Sequence, residues 1–148
     1  MKIKVIIAFI AVIVIIACNK GNYQSKPTLK IKSLNGNIIP AGGTLNIAIE
    51  YTDKEGDLSQ DTLLSIRVRQ NRRPLPPSGG ISVDTLHNII PKFPEKVKGE
   101  FDVTFDWAKY LHQSDFENDT IIFKFVAKDG GGHTSDTVST EKIVILKQ

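Results

Sequence analysis

Hydrophobic positions along this chain follow two different patterns. From Val5 to Ala17 every side chain is apolar, and the run stops abruptly at Cys18-Asn19-Lys20-Gly21. From Leu29 onward the pattern has period two, broken by turn residues about every ten positions, as expected for half-buried strands. Leu29 and Ile31 alternate with Lys30 and Lys32 ahead of the turn Asn35-Gly36-Asn37, and Leu45, Ile47, Ile49 and Tyr51 oppose Asn46, Ala48 and Glu50. Leu64, Ile66 and Val68 oppose Ser65, Arg67 and Arg69, which predicts a strand with its arginines facing outward. Phe101, Val103 and Phe105 alternate with acidic and Thr positions, and Ile121, Phe123, Phe125 and Ala127 form a further apolar face. A strand is predicted near Ile81 to Leu86, and the β-branched run Val138 to Leu146 closes the chain. About seven strands, each with one apolar face, predict an all-β fold, an antiparallel two-sheet sandwich with Ile47, Phe105, Phe123 and Phe125 inward.

Only one segment carries a helical period. Trp107, Tyr110 and Leu111 stand at i, i+3 and i+4 within Asp106–His112, which predicts one short helix across an end of the sandwich with Trp107 plugging the core.

The first apolar run is too short to span a bilayer. Thirteen residues reach about 20 Å as a helix, against a hydrocarbon core of ~30 Å. Lys2 and Lys4 precede it and small residues close it, so residues 1–17 read as a secretory signal. The run Ile15-Ile16-Ala17-Cys18 resembles the lipobox of Gram-negative bacterial lipoproteins. That resemblance implies cleavage after Ala17, lipidation of Cys18, a lipidated Cys and polar tether over 18–26, and a folded domain over 27–148. Each acyl CH₂ buried in the membrane contributes ~0.8 kcal/mol, so several chains anchor stably. By the same resemblance, Asn19 implies an outer-membrane destination. The tether 19–26 has no acidic residue and so lacks the acidic surface-export signature of some bacterial lipoproteins, and by that resemblance the periplasmic face is expected rather than the cell surface.

Removing the signal changes the charge. The full chain carries 19 basic and 16 acidic side chains, and the signal accounts for two lysines and no acids, so the mature chain is nearly neutral. Nucleic-acid binding loses its support. A single cysteine excludes an internal disulfide, and stability must come from an ordinary core.

Two segments resemble immunoglobulin-like and cadherin-like modules of exported bacterial proteins: Tyr51-Thr52-Asp53-Lys54-Glu55-Gly56-Asp57-Leu58, and the hairpin from Val126 to Asp136, where His133 stands in the usual Asn place. The resemblance implies an Ig-like sandwich in which the loops 52–60 and 129–136 emerge at the same end. Asp53, Glu55, Asp57 and Asp129 would then meet, and oxygen-only ligands select calcium over zinc. No cofactor is expected unless these carboxylates hold a structural calcium. The spacing lacks a bidentate Glu, so a solvated acidic turn is the competing reading.

Other features are weaker. Arg67, Arg69, Arg72 and Arg73 form a candidate face for an anionic partner, against the plainer reading of a solvated sheet face. Thr62, Thr85, Thr120 and Thr137 each follow Asp and precede an aliphatic residue, which resembles an O-glycosylation acceptor of exported proteins and also suits the start of a strand. The histidines His87, His112 and His133 lie on separate predicted elements, which argues against zinc. No nucleophile elbow or phosphate loop is present. The expectation is a noncatalytic binding or scaffold module, held to the membrane by its lipid and engaging an envelope protein or glycan. The alternative is an accessory or weak hydrolytic enzyme acting on envelope glycans.

Overall fold

The computed structural model describes residues 26–76 and 80–148, so the signal segment, Cys18 and all of the tether but Lys26 lie outside the described residues. Among the described residues nine strands form two sheets: β1 (Thr28–Leu34), β2 (Ile38–Ile39), β3 (Thr44–Thr52), β4 (Thr62–Arg69), β5 (Val83–Ile89), β6 (Lys98–Asp106), β7 (Asp119–Lys128), β8 (Val138–Ser139) and β9 (Ile143–Ile145). The smaller sheet has the order β1-β3-β6 and the larger β2-β9-β7-β4-β5, with β8 also on β7. The chain starts on one sheet and steps to the other at Asn35–Asn37. Asn35 fixes this step by donating to the Thr44 carbonyl at 2.8 Å and accepting from the Asn46 N–H at 2.9 Å. This is the all-β two-sheet sandwich read from the pattern, with nine strands rather than about seven and with β2 pairing β9 in parallel.

Alternation fills the interior as predicted. Leu45, Ile47 and Ile49 from β3, Phe105 from β6, and Ile121, Phe123 and Phe125 from β7 are all buried. Phe105 stacks on Phe123 at 4.1 Å between centroids, and Phe123 on Phe125 at 5.9 Å, so aromatic rings bridge the sheets. Each such ring contributes about 1.5–3 kcal/mol on burial. The helical segment is shorter than predicted, a single wide turn over Trp107–Leu111 closed by the His112 N–H on the Trp107 carbonyl at 2.8 Å. Trp107 is buried there, and its Nε1 donates to the Leu146 carbonyl at 2.9 Å. Among the described residues no helix is long and apolar enough to cross a membrane.

Three expectations are corrected. The weak strand lies at Val83–Ile89 rather than 81–86, and the last strand is split by Thr140, whose Oγ1 accepts the Phe123 N–H at 3.0 Å. The third correction is larger. β4 has the opposite phase: Leu63, Ser65, Arg67 and Arg69 point inward, while Leu64, Ile66 and Val68 lie on the outer face. Its register against β7 sets Arg67 beside Phe123 and Arg69 beside Ile121, on the buried side. Acidic partners make this tolerable. Arg69 Nε donates to Asp119 at 2.6 Å, its Nη2 donates to Glu117 at 2.7 Å, and its Nη1 bonds the Arg73 carbonyl. Arg67 reaches Asp84 at 3.4 Å and the Tyr110 carbonyl.

Candidate metal centre

The acidic loop owes its shape to one glycine and one aspartate. Gly56 has φ +75°, and a Cβ there would lie 3.3 Å from the Lys96 backbone, so only glycine lets the β3–β4 loop turn under the β5–β6 connection. Asp53 clamps the turn: its Oδ2 accepts the Asp57 N–H at 3.0 Å, and its own N–H donates to the Val97 carbonyl at 2.7 Å. From above, Phe93 stacks on Tyr51 at 5.0 Å and donates its N–H to Ser59 Oγ at 2.9 Å. The proline-broken apolar segment Asn88–Pro94 therefore covers this end of the core.

The β7–β8 loop approaches from the other side. Asp129 accepts the His133 N–H at 2.7 Å on Oδ1, and its Oδ2 lies 3.1 Å from His133 Nδ1. Gly132, with φ +87°, closes that turn. Four carboxylates singled out from sequence are thereby assembled. Asp53, Asp57 and Asp129 each bring a carboxylate oxygen within 4.8 Å of the others, and Glu55, Asp129 and His133 form an overlapping set of the same span. Two oxygens about 2.4 Å from one calcium ion are at most ~4.8 Å apart, so either span fits a single ion.

The inner set is also the electrostatically expensive one. Asp53 is 1% exposed and Asp129 2%, yet Asp53 Oδ1 and Asp57 Oδ1 are buried without a hydrogen-bond partner. Burial first, and then the neighbouring Asp57 carboxyl, raise the Asp53 carboxyl above its ordinary value. Asp61 is raised for the same reasons, by burial and by Asp57 and Asp129, with Lys128 opposing. Asp61, which borders the inner set, and His133, which belongs to the outer one, are the residues that sequence reading missed. The spacing Asp53-x₃-Asp57-x₃-Asp61 was the available signal for the first.

No family model matches this chain, and no curated protein does. Among solved structures, the PmoD soluble domain from Methylocystis sp. ATCC 49242 (Rockwell) aligns over 80% of this chain and 88% of its own at 19% identity and a TM-score of 0.36. A β-glucosidase from Listeria innocua gives 11% identity and 0.37, the chain spanning 82% of itself but 16% of that enzyme. A cohesin module from a Clostridium perfringens ATCC13124 family 33 glycoside hydrolase gives 10% and 0.31, over 83% and 97%. Likeness of this degree carries no functional argument, so the site is read from its own residues.

The remaining candidates are scattered. Arg67 and Arg69 are buried, which removes them from any outward anionic-partner face; Arg72 and Arg73 are exposed, Arg73 lying over the Phe116 ring at 5.6 Å. Thr62 opens β4 and Thr120 lies second in β7, both half-buried. Thr137 is exposed just before β8. Thr85 sits in the middle of β5 rather than at a strand start, and is exposed. His112 pairs with Asp115 at 2.8 Å, away from His133.

Proposed function

We propose that this chain is a noncatalytic envelope binding module, anchored by a lipid on Cys18, whose loop end is set by a divalent cation held on Asp53, Asp57 and Asp129. The observation that carries the cation is the Asp53 carboxylate, almost wholly buried, with one oxygen lacking any partner and two further carboxylates beside it. A carboxylate buried without compensation costs several kcal/mol, and a bound cation offsets that cost. Oxygen donors favour calcium, while His133 and Glu55 at the rim contribute a ligand set better suited to a softer metal. A hydrolytic role finds less support: Asp53 and Asp129 are too buried to meet a glycan, and among the described residues no hydroxyl bonds to a histidine or carboxylate.

Thermal melts test the cation. Calcium at a hundred times its dissociation constant should add ~2.7 kcal/mol of stability. Magnesium and zinc at equal concentration should add less, and Asp53→Asn/Asp57→Asn should abolish the gain. An equal response in the variant, or none in the wild type, leaves an acidic turn. Anchoring is tested separately by Cys18→Ala, which should release the chain from the membrane fraction or leave it unprocessed.

A further inference from the structure

A sandwich has four sheet edges, and exposed edges invite pairing unless charge, bulges or brevity prevent it. Three are guarded here. β1 presents Lys30 and Lys32 and carries a register shift between Ile31 and Ser33; β6 presents Lys98, Glu100, Asp102 and Asp106; β2 is only two residues long. β5 has none of these devices. It is a regular seven-residue edge strand whose exposed side chains are Val83, Thr85, His87 and Ile89, while its one acid, Asp84, turns inward to Arg67.

The backbone of β5 divides cleanly. Ser82 accepts from Arg69 and Ile90 donates to Asp61, both at 2.8 Å, in an unbroken register with β4. The even-numbered residues therefore spend their N–H and C=O groups on β4, and Val83, Thr85, His87 and Ile89 direct theirs to the free side. Among the described residues nothing bonds to those groups. Val83 and Ile89 are 56% and 77% exposed.

We infer that β5 is a homodimerisation edge, occupied by β5 of a second copy running antiparallel about a two-fold axis at Leu86. In that register Val83 faces Ile89 of the second copy and Thr85 faces its His87, so every free N–H meets a free C=O. No like charges face each other across the junction. The two β-branched residues pair on the outer face, as favourable cross-strand neighbours do. On the neighbouring strand β4 the same face carries Leu64, Ile66 and Val68. A second copy fits better than an unrelated strand because the sequence of β5 is its own complement in this register.

The test is sedimentation of the full-length chain in detergent. The wild type should sediment as a dimer at micromolar concentration. Thr85→Pro removes an N–H that the monomer does not use, at an edge position where proline is tolerated, and should weaken the dimer at least 100-fold while the melting temperature measured at dilutions where both proteins are monomeric stays unchanged. Val83→Lys/Ile89→Lys, which sets lysines opposite each other on exposed positions, should do the same without proline. In a Cys18→Ser background, Thr85→Cys/His87→Cys should form an intermolecular disulfide and Thr85→Cys alone should not. A wild type that is monomeric at 100 μM, a dimer that survives both edge variants, equal cross-linking by the single cysteine, or a one-to-one complex of β5 with a different protein would overturn the inference.

Discussion

At one end of the larger sheet the Arg69 guanidinium lies against Asp119 and Glu117, while at the other, about 24 Å away along β4, Asp53 and Asp129 are equally buried and the Asp53 and Asp57 Oδ1 atoms have no hydrogen-bond partner. Both ends place carboxylates out of water. The first is balanced from within: Asp119 accepts Arg69 on one oxygen and the Gln113 and Ser114 N–H groups, each at 2.9 Å, on the other. Burial pushes the guanidinium down, but its bonds to Asp119 and Glu117 outweigh that and leave it above its usual value. The second end closes its loops just as tightly and leaves two carboxylate oxygens unmatched. Internal balance makes an end self-sufficient, whereas an unbalanced one depends on what the solution supplies.

The largest effect should come from breaking the balanced end. Arg69→Met or Asp119→Ala leaves a buried charge alone and should cost ~3–5 kcal/mol in chemical denaturation, whereas replacing both together should cost less than either. If the double variant is as unstable as the sum of the singles, the pair is not a unit. A smaller change of opposite sign is expected at the other end. In chelator, Asp53→Asn keeps an acceptor for the Asp57 N–H, removes one of the crowded charges, and should raise stability by ~1 kcal/mol.

Acidity sharpens the contrast. Asp53 and Asp61 hold their protons more tightly folded than unfolded, so without a divalent cation stability should fall as pH rises from the ordinary carboxyl value of 3.8 through the raised folded values. Saturating calcium should flatten that slope, because the ion takes the place of the proton. A chelated wild type that gains stability over this window would contradict the assignment. Least of all should change on Lys124→Ala, on the outer face of β7 between the two ends, where a shift within about 0.5 kcal/mol is expected.

How much of this was readable beforehand depended on whether polarity and burial agreed. In β3, β6 and β7 they agree, and alternation alone placed Ile47, Phe105, Phe123 and Phe125 inside. In β4 they conflict. The apolar set Leu64, Ile66 and Val68 went outward because Arg69 found Asp119 fifty residues later, a pairing that no local window contains. Asp53, Glu55, Asp57 and Asp129 could be brought together only through the resemblance to Ig-like modules, whose topology places their two loops at one end. His133 is legible only against the aspartate four residues before it, and not against the other histidines. Asp61 reads as the start of a strand and takes its environment from Asp57 and Asp129, both supplied by tertiary packing.

The pairing of Thr28 with Thr52, together with the contact between Lys26 and Asp136, gives the domain a defined bottom and top. The chain enters at the acidic end, and its last strand runs back so that Ile145 lies beside Asp119 at the far end, near Trp107. A molecule held from its N-terminal side would stand with its carboxylates toward the anchor and its single tryptophan and C-terminus outward. The ion content of the thin aqueous layer at the base, rather than that of the open compartment, would then govern how stiffly the domain stands.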